Sequence, residues 1–212
     1  MKYQIVYADP PWKYSSKELY GDKVNGYENG KRKRFAPLSR KYQQMKTADI
    51  CALPVNTITA NDCACFMWTT DSHIPDAMQV LEAWGFKYKT VAFVWLKKYS
   101  TGTTVLNFGP WTLKSTEICL LGIKGKMSQY KQSNKVRQFI EAERTEHSKK
   151  PEEARTRIHE LFGNIPRVEL FARTKTEGWD VWGNEVESTI NMAASSANKQ
   201  MNAERKPPRL VI

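Results

Sequence analysis

The amino-acid sequence predicts an α/β domain built around a largely parallel sheet. Three observations carry this. Short β-branched and aromatic runs alternate with stretches of helical period, the pattern of strands joined by crossover helices. The first run, residues 2–8 (KYQIVYA), stops at Asp9-Pro10-Pro11-Trp12, where two prolines remove ladder donors and turn the chain out of the sheet. No apolar run approaches the ~20 residues of a membrane-spanning helix, so the 41% of hydrophobic residues must pack within the domain, and no membrane partner is expected.

After the opening strand, residues 13–46 show no clear period. With Gly21, Gly26, Gly30 and the run Lys31-Arg32-Lys33-Arg34, they read as a long mobile basic loop inside the domain. A short helix is predicted from Thr47 to Leu53 and a buried strand from Ala64 to Thr70. His73 to Trp84 is helical: Ile74, Ala77, Met78, Leu81 and Trp84 recur at three- and four-residue steps, and Gly85 supplies a stop. Strands are predicted over Phe86–Leu96, Ser115–Ile123 and Phe139–Glu143, with a Gly/Thr/Pro loop over Lys97–Thr112.

The next helix has Pro151 in its first turn, Glu152 and Glu153 at the positive end of its dipole, and Gly163 past its end. Its apolar stripe is Ala154, Ile158, Leu161 and Phe162. Arg167–Ala172 (RVELFA) reads as a strand, and Trp179–Asn184 closes the patterned region. From Ser188 the composition turns to Asn, Ala, Ser, Lys and Pro. Residues 1–187 are therefore expected to form the domain, with 188–212 a polar, flexible tail. Ligands of parallel sheets bind beyond the carboxyl ends of the strands. Asp9 lies at one such end and the segment after RVELFA at another.

Charge and cysteine usage narrow the class. Lys and Arg number 33 against 22 Asp and Glu, a formal net charge of +11. Such an excess favours a polyanionic partner, because lysine and arginine displace counterions from phosphates. The four cysteines form no CxxC pair, and with three histidines they make no zinc pattern, so no metal is expected. They read as reduced core thiols of a cytoplasmic protein. The N-terminus lacks the apolar stretch and cleavage site of a secretory signal.

Asp9-Pro10-Pro11-Trp12 has a specific chemical meaning. The lone pair of an exocyclic base amine is delocalised into the ring, so the amine is a poor nucleophile. Acceptors on both of its N–H bonds draw the nitrogen toward tetrahedral geometry and free that pair. Asp9 offers a carboxylate, Pro10 a carbonyl aimed by the following proline, and Trp12 a flat face on which a base could stack. Neither proline presents a competing N–H.

The same tetrapeptide is followed by Tyr42-Gln43-Gln44-Met45, Phe66-Met67-Trp68-Thr69, Trp95-Leu96-Lys97, Glu117-Ile118-Cys119-Leu120-Leu121-Gly122-Ile123-Lys124-Gly125, His147-Ser148-Lys149-Lys150-Pro151, Glu169-Leu170-Phe171-Ala172-Arg173 and Trp182-Gly183-Asn184-Glu185. This ordered set, spanning residues 3–186, resembles the MT-A70 family of S-adenosylmethionine-dependent adenine N6-methyltransferases. The resemblance implies a Rossmann-like methyltransferase sheet in circularly permuted order, the catalytic strand preceding the cofactor strand. It implies methyl transfer to adenine N6, with S-adenosylhomocysteine as product.

By the same resemblance Lys150 matches the lysine that binds the cofactor carboxylate, with Ser148 a lesser candidate. Asn184 and Glu185 match the pair that binds the ribose hydroxyls, and Arg173 and Glu169 match other cofactor-pocket positions. Asp9 would serve cofactor and methyl acceptor together. By the same match Lys175 falls in the pocket, at a position where many members carry a histidine. For the nucleic acid, the candidates are Trp12, Lys31, Arg32, Lys33, Arg34, Lys97 and Trp111. The target base must be single-stranded or flipped.

DNA is favoured over RNA by analogy with compact bacterial or phage members. RNA methylation, cytosine N4-methylation and an inactive nucleic-acid-binding subunit are the alternatives. Either a monomer or a homodimer would be compatible.

Overall fold

The computed structural model describes residues 2–14, 25–28, 31–34, 44–109, 111–145 and 149–192. Their main sheet has seven strands: β1 (Tyr3–Ala8), β4 (Thr59–Thr69), β5 (Lys87–Lys98), β6 (Thr116–Lys124), β7 (Phe139–Glu143), β8 (Arg167–Leu170) and β9 (Asp180–Trp182). Two further strands, β2 (Asn25–Glu28) and β3 (Lys31–Arg34), pair antiparallel as a separate ribbon. The aperiodic reading of residues 13–46 is corrected at this ribbon, since Lys31 to Arg34 form a strand. Lysine and arginine carry no apolar alternation to betray one.

The order of the main sheet is β7-β5-β6-β4-β1-β8-β9. β1 is parallel to both β4 and β8, and β5–β7 and β8–β9 are parallel as well. β6 alone runs antiparallel, between β4 and β5. The largely parallel expectation holds, with this one reversal. Among the described residues the connection from β5 to β6 holds no helix, and β6 returns antiparallel beside β5, so its amino end, not its carboxyl end, lies on the edge where β1, β4 and β5 finish.

Helices cover both faces. On one face α1 (Thr47–Cys51) and α2 (Ile74–Ala83) bury Ile50, Ala77, Val80 and Leu81 against Val6, Ala8, Cys65 and Met67. On the other, α3 (Glu152–Phe162) buries Ala154, Ile158 and Phe162 against Ile5, Phe66, Trp68 and Phe93. Alternate residues of β1 and β4 thus feed opposite cores, as the two-residue strand period requires. The helix over α2 begins at Ile74, after a 3-10 turn at Asp71–His73, and Val80 takes the core place expected of Met78, which is exposed. α3 ends as expected at Gly163, whose φ of 72° admits glycine readily.

The cysteines are unpaired, and Cys63, Cys65 and Cys119 are buried. Burial pushes the Cys63 thiol up to about 12. Packing also continues beyond Ser188: the Val181 N–H donates to the Thr189 hydroxyl oxygen at 2.9 Å, and Met192 is buried in the α2-side core. Residues from 193 on lie outside the described residues.

Candidate active site at the carboxyl edge of the sheet

The registers bring the strand ends level. Ala8 pairs with Met67 and with Leu170, so Asp9, Trp68 and Phe171 emerge side by side. On the far side of β4, the antiparallel β6 brings Glu117 opposite Trp95, one residue before the end of its own ladder. Lys150 stands just before Pro151, the cap of α3. Residues separated by more than 100 positions in the chain thereby meet.

They form an alternating row of charges. Lys150 Nζ donates to Asp9 Oδ2 at 2.5 Å and lies 3.2 Å from Glu117 Oε2. Lys97 Nζ donates to the other oxygen, Glu117 Oε1, at 2.5 Å. Lys150, Lys97 and Glu117 are nearly buried, while the Asp9 side chain is 26% exposed. Removing such groups from water is costly unless each is paired, and here two cations face two anions.

The competition between burial and pairing resolves differently at each group. Burial dominates at Asp9 and holds its pKa above the ordinary 3.8, with Lys150 pulling the other way. Burial also acts to raise Glu117, but Lys150 and Lys97 together outweigh it and hold its carboxyl below the usual range. Lys150 is opposed by its own burial yet held firmly protonated by Asp9 and Glu117. The open end of the row is a carboxylate whose charge depends on the lysine behind it.

Pro10 and Pro11 shape the turn after Asp9. The Pro10 carbonyl already accepts the Trp12 N–H at 2.9 Å, so one lone pair remains for another donor. The Pro11 carbonyl accepts the Met45 N–H at 2.8 Å. Trp12 corrects an expectation. Rather than offering an open face for a base, it is 5% exposed, donates its indole N–H to the Trp68 carbonyl and stacks on His73 at 5.8 Å. An indole just after a buried strand gains more from core packing than an exposed platform would.

Glu169 also departs from the cofactor reading. Its two oxygens receive a fork from Arg155, Nε to Oε2 at 2.9 Å and Nη2 to Oε1 at 2.8 Å, deep between β8 and α3. The same guanidinium covers the Tyr7 ring at 5.2 Å. Burial raises the Glu169 pKa despite Arg155. This pair ties α3, and with it Lys150, to the central strands.

Arg173 follows β8 and lies 3.6 Å from Glu185, which with Asn184 is exposed just after β9. Lys175 pairs at 2.9 Å with Glu187, both exposed. Phe171 adopts φ +62° at the end of β8, a left-handed conformation rare for a bulky residue and common where function demands a sharp exit. Gly183 meets this turn so closely that a Cβ would sit 2.1 Å from the Ala172 carbonyl oxygen. The ends of β8 and β9 are thus locked together below Asn184 and Glu185.

Lys31, Arg32, Lys33 and Arg34 lie in β3, and Trp111 in the connection between β5 and β6. Ser148 lies outside the described residues. Two residues escaped the sequence reading. Glu117 had a signal, a lone acid within the apolar run of β6; Arg155 was hidden as one more charge on a helix. Among the described residues no group of three or more His, Cys, Asp or Glu could hold a metal ion, and no helix is long and apolar enough to cross a membrane.

The family comparison covers the same edge. A family model described as MT-A70 matches residues 3–185. The chain is 41% identical over 188 residues to "Type II methyltransferase M.MunI" of Mycoplasma sp, spanning 87% of this chain and 78% of that protein. It is 28% identical over 190 residues to an "N(6)-adenosine-methyltransferase MT-A70-like" protein of Arabidopsis thaliana, over 86% of this chain but 23% of the plant protein. With the human "N(6)-adenosine-methyltransferase catalytic subunit METTL3" the identity is 25% over 194 residues, covering 88% and 28% respectively.

Proposed function

The chain belongs to the MT-A70 family, and we propose that it transfers a methyl group from S-adenosylmethionine to N6 of adenine in DNA. The observation that carries this reading is Asp9 at the exit of β1, partly open to solvent and held by Lys150 at 2.5 Å. DNA is favoured because the Mycoplasma sp relative, spanned over 78% of its length, is named a type II methyltransferase. The plant and human relatives named for N6-adenosine methylation are spanned over about a quarter of their lengths. The fold reading is a Rossmann-like sheet in permuted order, supported by the central place of β1 beside the late strand β8. The chain would act in the cytoplasm of a bacterial or phage-infected cell, as a monomer or homodimer.

The residues at this edge suit the cofactor's groups. Lys150 and Arg173 are cations for its carboxylate, Asp9 an acceptor for its ammonium, and Asn184 and Glu185 are exposed acceptors for a ribose diol. When bound, S-adenosylmethionine supplies an electrophilic methyl group on a sulfonium. The protein's part is to ready the amine. Asp9 accepts one N–H, and the free lone pair of the Pro10 carbonyl accepts the other. Burial favours the neutral acid at Asp9, so Lys150 keeps it ionised as an acceptor. The proton that N6 loses on methylation passes to that same carboxylate, which its raised pKa suits.

Labelled methyl transfer to DNA, with digestion to nucleosides, tests the reading. Wild type is expected to yield N6-methyladenine. Asp9→Ala, which removes the acceptor and leaves Lys150 paired with Glu117, should lose activity on the order of 10²–10⁴-fold or more. Label confined to RNA, or full activity in the variant, would refute it.

A further inference from the structure

We propose that the tip of the β5–β6 connection is a wedge that enters the DNA base stack, Trp111 taking the space vacated when the target adenine swings into the site. This rests on the DNA reading above. The motivating observation is exposure: Trp111 is 94% and Phe108 80% exposed, with Leu106 and Leu113 more than half exposed beside them. Exposed apolar groups gathered at one place mark a surface that meets something.

The tip is built rather than slack. The connection folds back twice, with bridges Lys98–Thr104 and Asn107–Lys114. Asn107 and Lys114 exchange both backbone hydrogen bonds, at 2.8 and 2.7 Å, which closes the neck below Phe108 and Trp111. Val105 is fully buried and anchors the base of the connection. Lys114 Nζ reaches Ser72 Oγ at 3.1 Å and Asp71 at 3.3 Å, just past β4. The tip therefore springs from the same carboxyl edge as Asp9, beside Lys97 of the charge row.

Three features favour nucleic acid as the occupant. No acidic residue occurs from Lys97 to Thr116, so the tip itself carries no charge that repels phosphate. The chain as a whole carries +11. The reaction itself needs a gap-filler, since extruding a base from a duplex leaves its neighbours unstacked, and apolar wedges meet that need. A residue lining the base pocket would be covered on one side; Trp111 stands clear.

The test compares one circular DNA in its single-stranded and double-stranded forms, measuring methyl transfer by wild type, Trp111→Ala and Trp111→Phe. Wild type should act on the duplex. Trp111→Ala should lower the duplex-to-single-strand rate ratio at least tenfold, and Trp111→Phe should stay within about threefold of wild type. An unchanged ratio in an active Trp111→Ala enzyme overturns the wedge alone and leaves the methyltransferase reading intact, as does a wild type that acts only on single strands. Sedimentation decides against it too if wild type is a dimer and Trp111→Ala a monomer, because the tip would then join two copies of the chain. A wild type that labels neither DNA form fails the DNA reading itself, and the wedge with it.

Discussion

Glu117→Gln isolates the charge row from the rest of the site. Glu117 faces the two lysines and is not among the residues assigned to cofactor or nucleic acid, so its replacement acts through its neighbours. Removing its charge leaves Lys97, Lys150 and Asp9, a buried set with one excess positive charge. Breaking a buried pair by removing one partner costs about 3–5 kcal/mol. The glutamine oxygen still accepts from one lysine, which places this variant at the low end, about 3 kcal/mol. For a chain of this size each kcal/mol moves Tm by about 2–4 °C, so the melting temperature should fall by roughly 6–12 °C at neutral pH.

The pH dependence of Glu117→Gln follows from two opposite shifts. The Glu117 pKa is depressed in the fold, so its contribution is present above the ordinary value of 4.5 and fades as pH falls through the folded value; wild type and variant should converge in acid. Asp9 moves the other way. Glu117 is one of the groups holding its pKa up, so without it Asp9 ionises at lower pH and the acid limb of kcat against pH shifts downward. Calorimetry across pH and a methylation profile read the two effects. A variant with unchanged Tm and an unmoved or raised acid limb would show that the row is not coupled as described.

Two other substitutions probe the frame. Arg155→Met leaves Glu169 buried beside Asp9 without its fork, so stability should drop by about 3–5 kcal/mol in denaturant titrations. The companion change Glu169→Leu should restore much of it, because an apolar pair replaces an ionic one. Gly183→Ala places a methyl group against the Ala172 backbone, which has no side chain to swing away. The β8 and β9 turns must part, and S-adenosylmethionine affinity measured by calorimetry should weaken at least tenfold.

Much of the molecule was legible from local pattern. The strand runs, the α3 start at Pro151 with its Gly163 stop, and the Asp9-Pro10-Pro11-Trp12 exit depend on backbone chemistry that sequence carries directly. The ribbon of β2 and β3 was not, since a strand of four basic residues has no apolar alternation to read. Nor was the choice of Val80 over Met78 for the α2 core: both lie near the apolar stripe, and only the tilt of the helix on the sheet decides between them.

The sequence by itself determined which groups could activate an amine and roughly where the sheet would end to present them. Tertiary structure decided what those groups do to one another. Lys150 read as a cation for the cofactor carboxylate and proves to lie between two carboxylates of the protein, Trp12 looked like a platform and is packed away, and Glu169 matched a cofactor-pocket position and is clasped by Arg155. The physical reason is that pairing and burial depend on strand register. An antiparallel β6 lodged between β4 and β5 turns its amino end toward the site, which is how Glu117 comes to share Lys150 with a residue 108 positions before it.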